Sequence, residues 1–263
     1  MFIQGFVEGK QRPDLCRKAA EASIRFLEQV AACRDLFKAP ACEIREPPKH
    51  GPAHAMWAAA NLVGDRDLTP MAAVAGAIAD ATADFLDELG ATRVVVDNGG
   101  DVAIRLAQGD ALSVGIRPDV NRNDVSHKVL VTAGMNVGGV CTSGLGGRSF
   151  TRGVASAATV FAKRAAVADA AASAIANATY VHSPAVVRRR AGEIDPDTDI
   201  KTLEITESVG DLTESETSTA LLQGVSRAEC LVNAGVIAGA CIAVKGRMSC
   251  TQEYIRLLEP VAQ

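Results

Sequence analysis

Long apolar runs are absent from this chain: nowhere does it reach the roughly 18 consecutive apolar residues that a membrane-spanning helix requires. The opening residues, MFIQGFVEGKQRPDL, also lack the basic-then-apolar order of a secretory signal. A cytoplasmic protein with no membrane partner is therefore expected. The seven cysteines (Cys16, Cys33, Cys42, Cys141, Cys230, Cys241 and Cys250) include no CxxC pair, so their spacing signals neither a zinc site nor a thioredoxin-like motif. Most are expected to be reduced thiols packed as small hydrophobes. Aromatic residues are scarce at 4%, which leaves Ala, Val, Leu and Ile to build the core and lets Ala-rich helices approach closely. Basic charge is not in excess either. The formal net charge of -4 leaves no electrostatic footprint for nucleic acid. No internal repeat is visible.

What is present is an ordinary globular composition. Its 263 residues, 48% hydrophobic and 22% charged, suffice for a sizeable core, and a single domain over 1–263 is expected. Residues 14–37 carry apolar side chains at helical period, residues 53–63 resume a helix, and Pro70 precedes a long helix over Met71–Leu89 that Gly90 can terminate. The run ATRVVVDNGGDVAIRL reads as two strands joined at Asn98 and Gly99. ALSVGIRP, HKVLVTAG and VASAATVFA read as further strands, followed by an Ala-rich helix over about 164–178. Arg188, Arg189 and Arg190 are expected on a solvated helix face, pairing with the acids that follow. Residues 191–220 hold nine acids against one Lys, an acidic insertion or loop whose spacing fits no EF-hand. ETSTALLQGVSRAECLVNAG then reads as a helix and VIAGACIAVKGR as a last strand with a turn. Strands interleaved with helices, one hairpin among them, give an α+β fold of mixed α/β layers, with a mixed or antiparallel sheet packed by Ala-rich helices.

Chemistry is expected around VGGVCTSGLGGRSF, residues 137–150. Gly138, Gly139, Gly144, Gly146 and Gly147 lack Cβ atoms, so backbone N–H groups there can approach an anionic ligand. Cys141, Thr142 and Ser143 then stand at the lip of a pocket. Backbone N–H groups and an Arg nearby would lower the Cys141 pKa and make it a nucleophile; the other reading is a packed cysteine at a strand end. Asp97 and Asp101 flank the Asn98-Gly99-Gly100 turn, either as base or metal ligands or as side chains satisfying turn backbone. Asp169 sits in an Ala-rich helix where an unpaired buried carboxylate is costly, so it is exposed or bonded to a specific partner. Asn177 binds ligand or caps that helix, and Met71 shapes a backbone approach to ligand. His50 and His54 offer two metal ligands without a third nearby.

Segments in order resemble one family: LTPMAAVAGAIADA at 68–81, VVVDNGGDVAIRL at 94–106, GVCTSG at 139–144 and ADAAASAIAN at 168–177. Together they are similar to the short, UPF-type branch of the ApbE-like superfamily, related to FAD:protein FMN transferases. The resemblance implies an ApbE-like fold and, from the transferases, FAD or FMN with magnesium as candidate cofactors. It places Gly99, Gly100 and Asp101 at a flavin nucleotide turn and Thr142, Ser143 and Gly144 at a second turn. Asp169 with Ser173 becomes the metal-holding pair, one helical turn apart on a single face.

The chain also departs from the transferases. Where they carry His-x-x-Asp-Pro-x-Thr-Gly, this sequence has Arg148, Ser149, Phe150, Thr151, Arg152 and Gly153. Arg148 and Arg152 are cations suited to carboxylate or phosphate. The lead expectation is an ApbE-like enzyme acting on a small anionic or nucleotide-like ligand, with a reaction other than standard FMN transfer. Three other readings stand beside it: a flavin transferase or flavin-binding protein, a sulfur-handling protein using Cys141, and a non-catalytic ligand-binding protein. The sulfur reading draws on the association of some archaeal members of the superfamily with sulfur assimilation into homocysteine. Close packing of Ala-rich helices also admits a homo-oligomer.

Overall fold

The computed structural model describes residues 1–119 and 125–261. Its elements run β1 (Phe2–Val7), β2 (Lys10–Gln11), α1 (Pro13–Ala31), α2 (Gly51–Val63), α3 (Val74–Glu88), β3 (Arg93–Asp97), β4 (Val102–Leu106), β5 (Ala111–Ile116) and β6 (His127–Thr132). They continue with β7 (Gly139–Ser143), β8 (Ala157–Ala162), α4 (Ala165–Ala178), β9 (Val186–Arg190), α5 (Ala191–Ile194), β10 (Glu204–Val209), α6 (Glu214–Asn233), β11 (Gly239–Val244), β12 (Arg247–Cys250), α7 (Gln252–Ile255) and β13 (Glu259–Pro260). This is a mixed α/β architecture with antiparallel strand pairs. Among the described residues no helix is long and apolar enough to cross a membrane. The chain, expected as a single domain, divides into two compact units: Met1–Leu112, Val131–Cys141 and Phe161–Ala170 in the first, and Ser113–Leu130, Thr142–Val160 and Ala171–Gln263 in the second.

In the first unit β1 pairs antiparallel with β3, β3 with β4, and β4 with β7. Alternation explains β3: Val94 and Val96 are buried while their neighbours are partly exposed. α1 starts where Pro13 lacks an N–H that the first helical turn would leave unpaired anyway and Asp14 sits in the first turn, and its buried stripe is Leu15, Ala19, Ala22 and Val30. α3 buries Gly76, Ala77, Ile78, Ala79, Thr82, Ala83 and Leu86. The long helix expected from Met71 instead begins as a 3-10 turn over Pro70–Ala73 and becomes α-helical at Val74.

In the second unit β11 pairs antiparallel with β12, and α6 packs against both strands. α6 opens with a capping box in which the Thr213 hydroxyl accepts from Glu216 N. The acidic stretch 191–220 is ordered: it contains α5, β10 and the start of α6. The Arg188–Arg190 run is a strand rather than a helix face. β9 pairs antiparallel with β10, which brings Arg188 to Glu204 at 3.1 Å and Arg189 to Glu207 at 3.2 Å. The expected pairing with the acids therefore forms, but as cross-strand contacts.

Candidate functional site

An ion-pair cluster built on buried Asp80 in the first unit fixes the elements on which the site stands. Asp80 on α3 is 1% exposed, a costly place for a carboxylate unless it is paired. Arg105 Nη2 on β4 donates to Asp80 Oδ1 at 2.9 Å and to Asp84 Oδ1 at 2.6 Å. Arg105 Nη1 also reaches the Gly138 carbonyl at 3.1 Å. Arg164 donates to both oxygens of Asp84. The second Asp80 oxygen accepts from Ala166 N at 2.9 Å, capping the first turn of α4. Burial works against ionised Asp84, yet the bonds from Arg164 and Arg105 outweigh it and hold the carboxyl below its ordinary value. Asp80, Asp84, Arg105 and Arg164 were not among the expected site residues. The available signal was an aspartate within an apolar, small-residue helix, inside the 68–81 motif itself.

Above this cluster α4 crosses α3 at very short range. A Cβ on Gly76 would lie 2.3 Å from the Ala165 carbonyl oxygen, and one on Gly139 would lie 2.3 Å from the Ala165 backbone nitrogen. The absence of Cβ atoms lets Asp169 Oδ2 accept from Gly76 N at 2.9 Å. Asp169 is thus bonded to a specific partner. Burial, followed by the charge of Asp101, pushes its carboxyl well above the ordinary range, against the pull of the Gly76 and Ala75 backbone. The charge of Asp101 therefore opposes ionisation of Asp169 within this unit.

Cys141 completes the group. It is fully buried, and its thiol donates to the Ala165 carbonyl at 3.3 Å. Burial first, then the carboxylates of Asp101, Asp169 and Asp80, push the thiol up. This reverses the expected lowering: the surroundings supply negative charge and low dielectric, not N–H groups and an arginine.

The 98–101 turn is largely accounted for by its own backbone. Gly99 and Gly100 adopt φ of 79° and 106°, values that favour glycine. Asp97 Oδ1 accepts from Gly100 N at 2.7 Å, so Asp97 serves the turn. Asn98, expected to bind ligand, donates from Nδ2 to the Ala75 carbonyl at 3.1 Å and ties the turn to the start of α3. Met71 is half-buried in the 3-10 turn before α3.

The remaining expected residues belong to the second unit. Thr142 and Thr159 hydroxyls lie 2.9 Å apart, and Ser143 is buried. Asn177 Oδ1 accepts from Arg152 N at 2.8 Å, so the amide holds the chain at Arg152. Gly144 is buried, Arg148 is exposed, and Ser173 is partly exposed one turn beyond Asp169 on α4. A cavity of ≈ 600 Å³ in this unit is lined by Leu145 and Gly146 of the glycine-rich turn together with Asp119, Ser156, Glu207 and Lys245. Its charged groups are of both signs. His54 Nδ1 is engaged with the Pro48 carbonyl at 2.8 Å, and among the described residues no three His, Cys, Asp or Glu could hold a metal ion together.

The chain is similar in sequence to curated proteins. A UPF0280 protein of Methanopyrus kandleri is 41% identical over 132 residues, covering 49% of this chain and 50% of the other. A UPF0280 protein of Methanosarcina barkeri is 33% identical over 176 residues, covering 64% and 67%. The chain spans about half the length of the first of these relatives. Among solved structures, the ApbE protein of Thermotoga maritima aligns with a TM-score of 0.42 at 16% identity, covering 71% of this chain and 52% of the other. The flavin transferase ApbE from Vibrio cholerae aligns with a TM-score of 0.39 at 13% identity, covering 92% and 76%. The family model described as AbpE bacteria matches residues 1–250, and the chain belongs to that family.

Proposed function

We propose that this chain is an enzyme acting on a small anionic or nucleotide-like ligand, with Asp101 and Asp169 as the groups that engage a magnesium ion accompanying it. The observation that carries this reading is Asp169, held by Gly76 N and pushed well above the usual carboxylate range by burial and by Asp101. The donor chemistry fits magnesium: hard oxygens, with one or two carboxylates from protein and the remaining positions left to water and phosphate. A bound magnesium would neutralise phosphate charge on the ligand. The chain's own part is to hold the carboxylates rigidly, through the Gly76 bond and the buried cluster beneath. Gly99 and Gly100 are proposed as ligand contacts at the turn beside Asp101.

Flavin transfer is the reaction to test against, because the stretch Arg148–Gly153 replaces the motif expected of a transferase. Incubation with FAD, magnesium and a threonine-bearing acceptor peptide is expected to give no FMN adduct by mass spectrometry. Magnesium binding by calorimetry is expected in the wild type and abolished in Asp169→Asn. A wild type that binds no magnesium, with or without a nucleotide, overturns the proposal. The reading with Cys141 as nucleophile finds no support in a thiol that is buried and pushed up.

A further inference from the structure

Two buried thiols outside this site are brought together by a hairpin. Lys245 and Gly246 form the turn between β11 and β12 with φ of 48° and 78°, the left-handed pair of a type I′ turn. The register that follows sets Cys241 directly opposite Cys250. Thr251 N donates to the Ala240 carbonyl at 2.9 Å, so 240 and 251 form a hydrogen-bonded pair and 241 and 250 the adjacent non-hydrogen-bonded one. In antiparallel sheets such pairs have Cα atoms about 4.5 Å apart with side chains on one face. That separation lies within the roughly 4.4–6.8 Å that a disulfide spans. Both thiols are free, and they are 2% and 5% exposed. β12 ends the strand order, which puts Cys250 on an edge strand and Cys241 one strand further in.

We propose that Cys241 and Cys250 are a redox-active dithiol, oxidised to a cross-strand disulfide by low-molecular-weight disulfides. The Cys250 thiolate attacks one sulfur of the reagent; the reagent's S–S bond breaks, one thiolate leaves, and a mixed disulfide forms on Cys250. Cys241 then loses its proton to solvent and attacks Cys250 Sγ, expelling the second thiolate. The protein loses two hydrogens and two electrons, and one reagent disulfide becomes two thiols. Cys250 on the edge strand takes the first step, and Cys241, one strand further in, is the resolving group. The turn residues Lys245 and Gly246 line the cavity of this unit, so the cross-link restrains strands that carry one of its walls.

The full-length protein equilibrated with oxidised and reduced glutathione, quenched in acid and mapped by mass spectrometry, tests this. A peptide linking Cys241 to Cys250 is expected, with both thiols lost at a single midpoint and recovered with dithiothreitol. In Cys241→Ser, Cys250 is expected to stop at the glutathione adduct; in Cys250→Ser, Cys241 is expected to stay a free thiol. The proposal is overturned by a folded wild type in which both thiols remain alkylatable while exposed Cys42 and Cys230 carry glutathione. Linkage of either thiol to another cysteine in place of this pair also overturns it. The wild-type map decides even where a variant fails to fold.

Discussion

At Cys141 the surroundings all act in one direction. Burial and neighbouring carboxylates disfavour the thiolate, and the proton is occupied by the Ala165 carbonyl. A free cysteine has a pKa of about 8.5, and the thiolate is the reactive species. Timed alkylation with iodoacetamide at pH 8, read by peptide mapping, is therefore expected to modify exposed Cys42 and Cys230 first. Cys141 is expected to react only when denaturant opens the first unit. Rapid modification of Cys141 in the folded protein would contradict this account and revive the thiol as a nucleophile. The same residue shows why spacing misleads here: glycines flanking a cysteine predict open backbone N–H groups, but Gly139 serves to let α4 approach. The setting of Asp169 in an Ala-rich helix leaves two readings, exposed or bonded to a specific partner, and the second holds. The identity of that partner, a backbone N–H in another helix, has no signature in sequence.

Elements in the first unit are held by contact distances that only glycine allows. In Gly76→Ala the new Cβ meets the Ala165 carbonyl at 2.3 Å and Asp169 Cβ at 2.9 Å, so helix backbone must shift. Overpacking of this kind typically costs about 1–3 kcal/mol, with roughly 0.5–1.5 kcal/mol more for the lost hydrogen bond to Asp169. Urea unfolding is expected to show a loss of about 2 kcal/mol or more. Gly134→Ala is the control: its Cβ meets nothing within 4 Å, and the change is expected to stay within about 0.5 kcal/mol. A Gly76→Ala variant as stable as the control would remove the tight crossing from the argument. At this scale much was legible in the sequence. The 3.6-residue stripe of α1, the hairpin at Asn98-Gly99 and the Ala-rich α4 all follow from period and turn chemistry. β1 did not, because a short N-terminal segment acquires strand character only from β3 beside it. β9 also did not, since consecutive arginines carry no apolar alternation and become a strand through cross-strand acids.

For the whole molecule two of the perturbed carboxylates, half-buried Asp84 and buried Asp169, set opposite pH slopes. Asp84 is held below its ordinary value. Its contribution to stability is fully present above the unfolded pKa of about 3.9 and is lost as pH falls through the lower folded value. Asp169 is raised, so the folded state keeps a proton that the unfolded chain gives up. The stability this confers is present below about pH 3.9 and is lost as pH rises through the folded value. Without divalent cation, the melting temperature is therefore expected to peak on the weakly acidic side, at about pH 4–6, and to decline toward neutrality. In Asp169→Asn the amide oxygen can still accept from Gly76 N, the neutral-side decline is removed, and stability at pH 7 is expected to rise by about 0.5–2 kcal/mol. On the proposed function magnesium would bind the ionised pair, so it is expected to raise the wild-type melting temperature at pH 7 by mass action and to leave the asparagine variant unchanged. Thermal scans from pH 3 to 9, in EDTA and in magnesium, read all three effects. A metal-free wild type whose melting temperature is flat or rising between pH 5 and 8 would show that Asp169 is not raised. A magnesium shift that survives in Asp169→Asn would place the cation elsewhere.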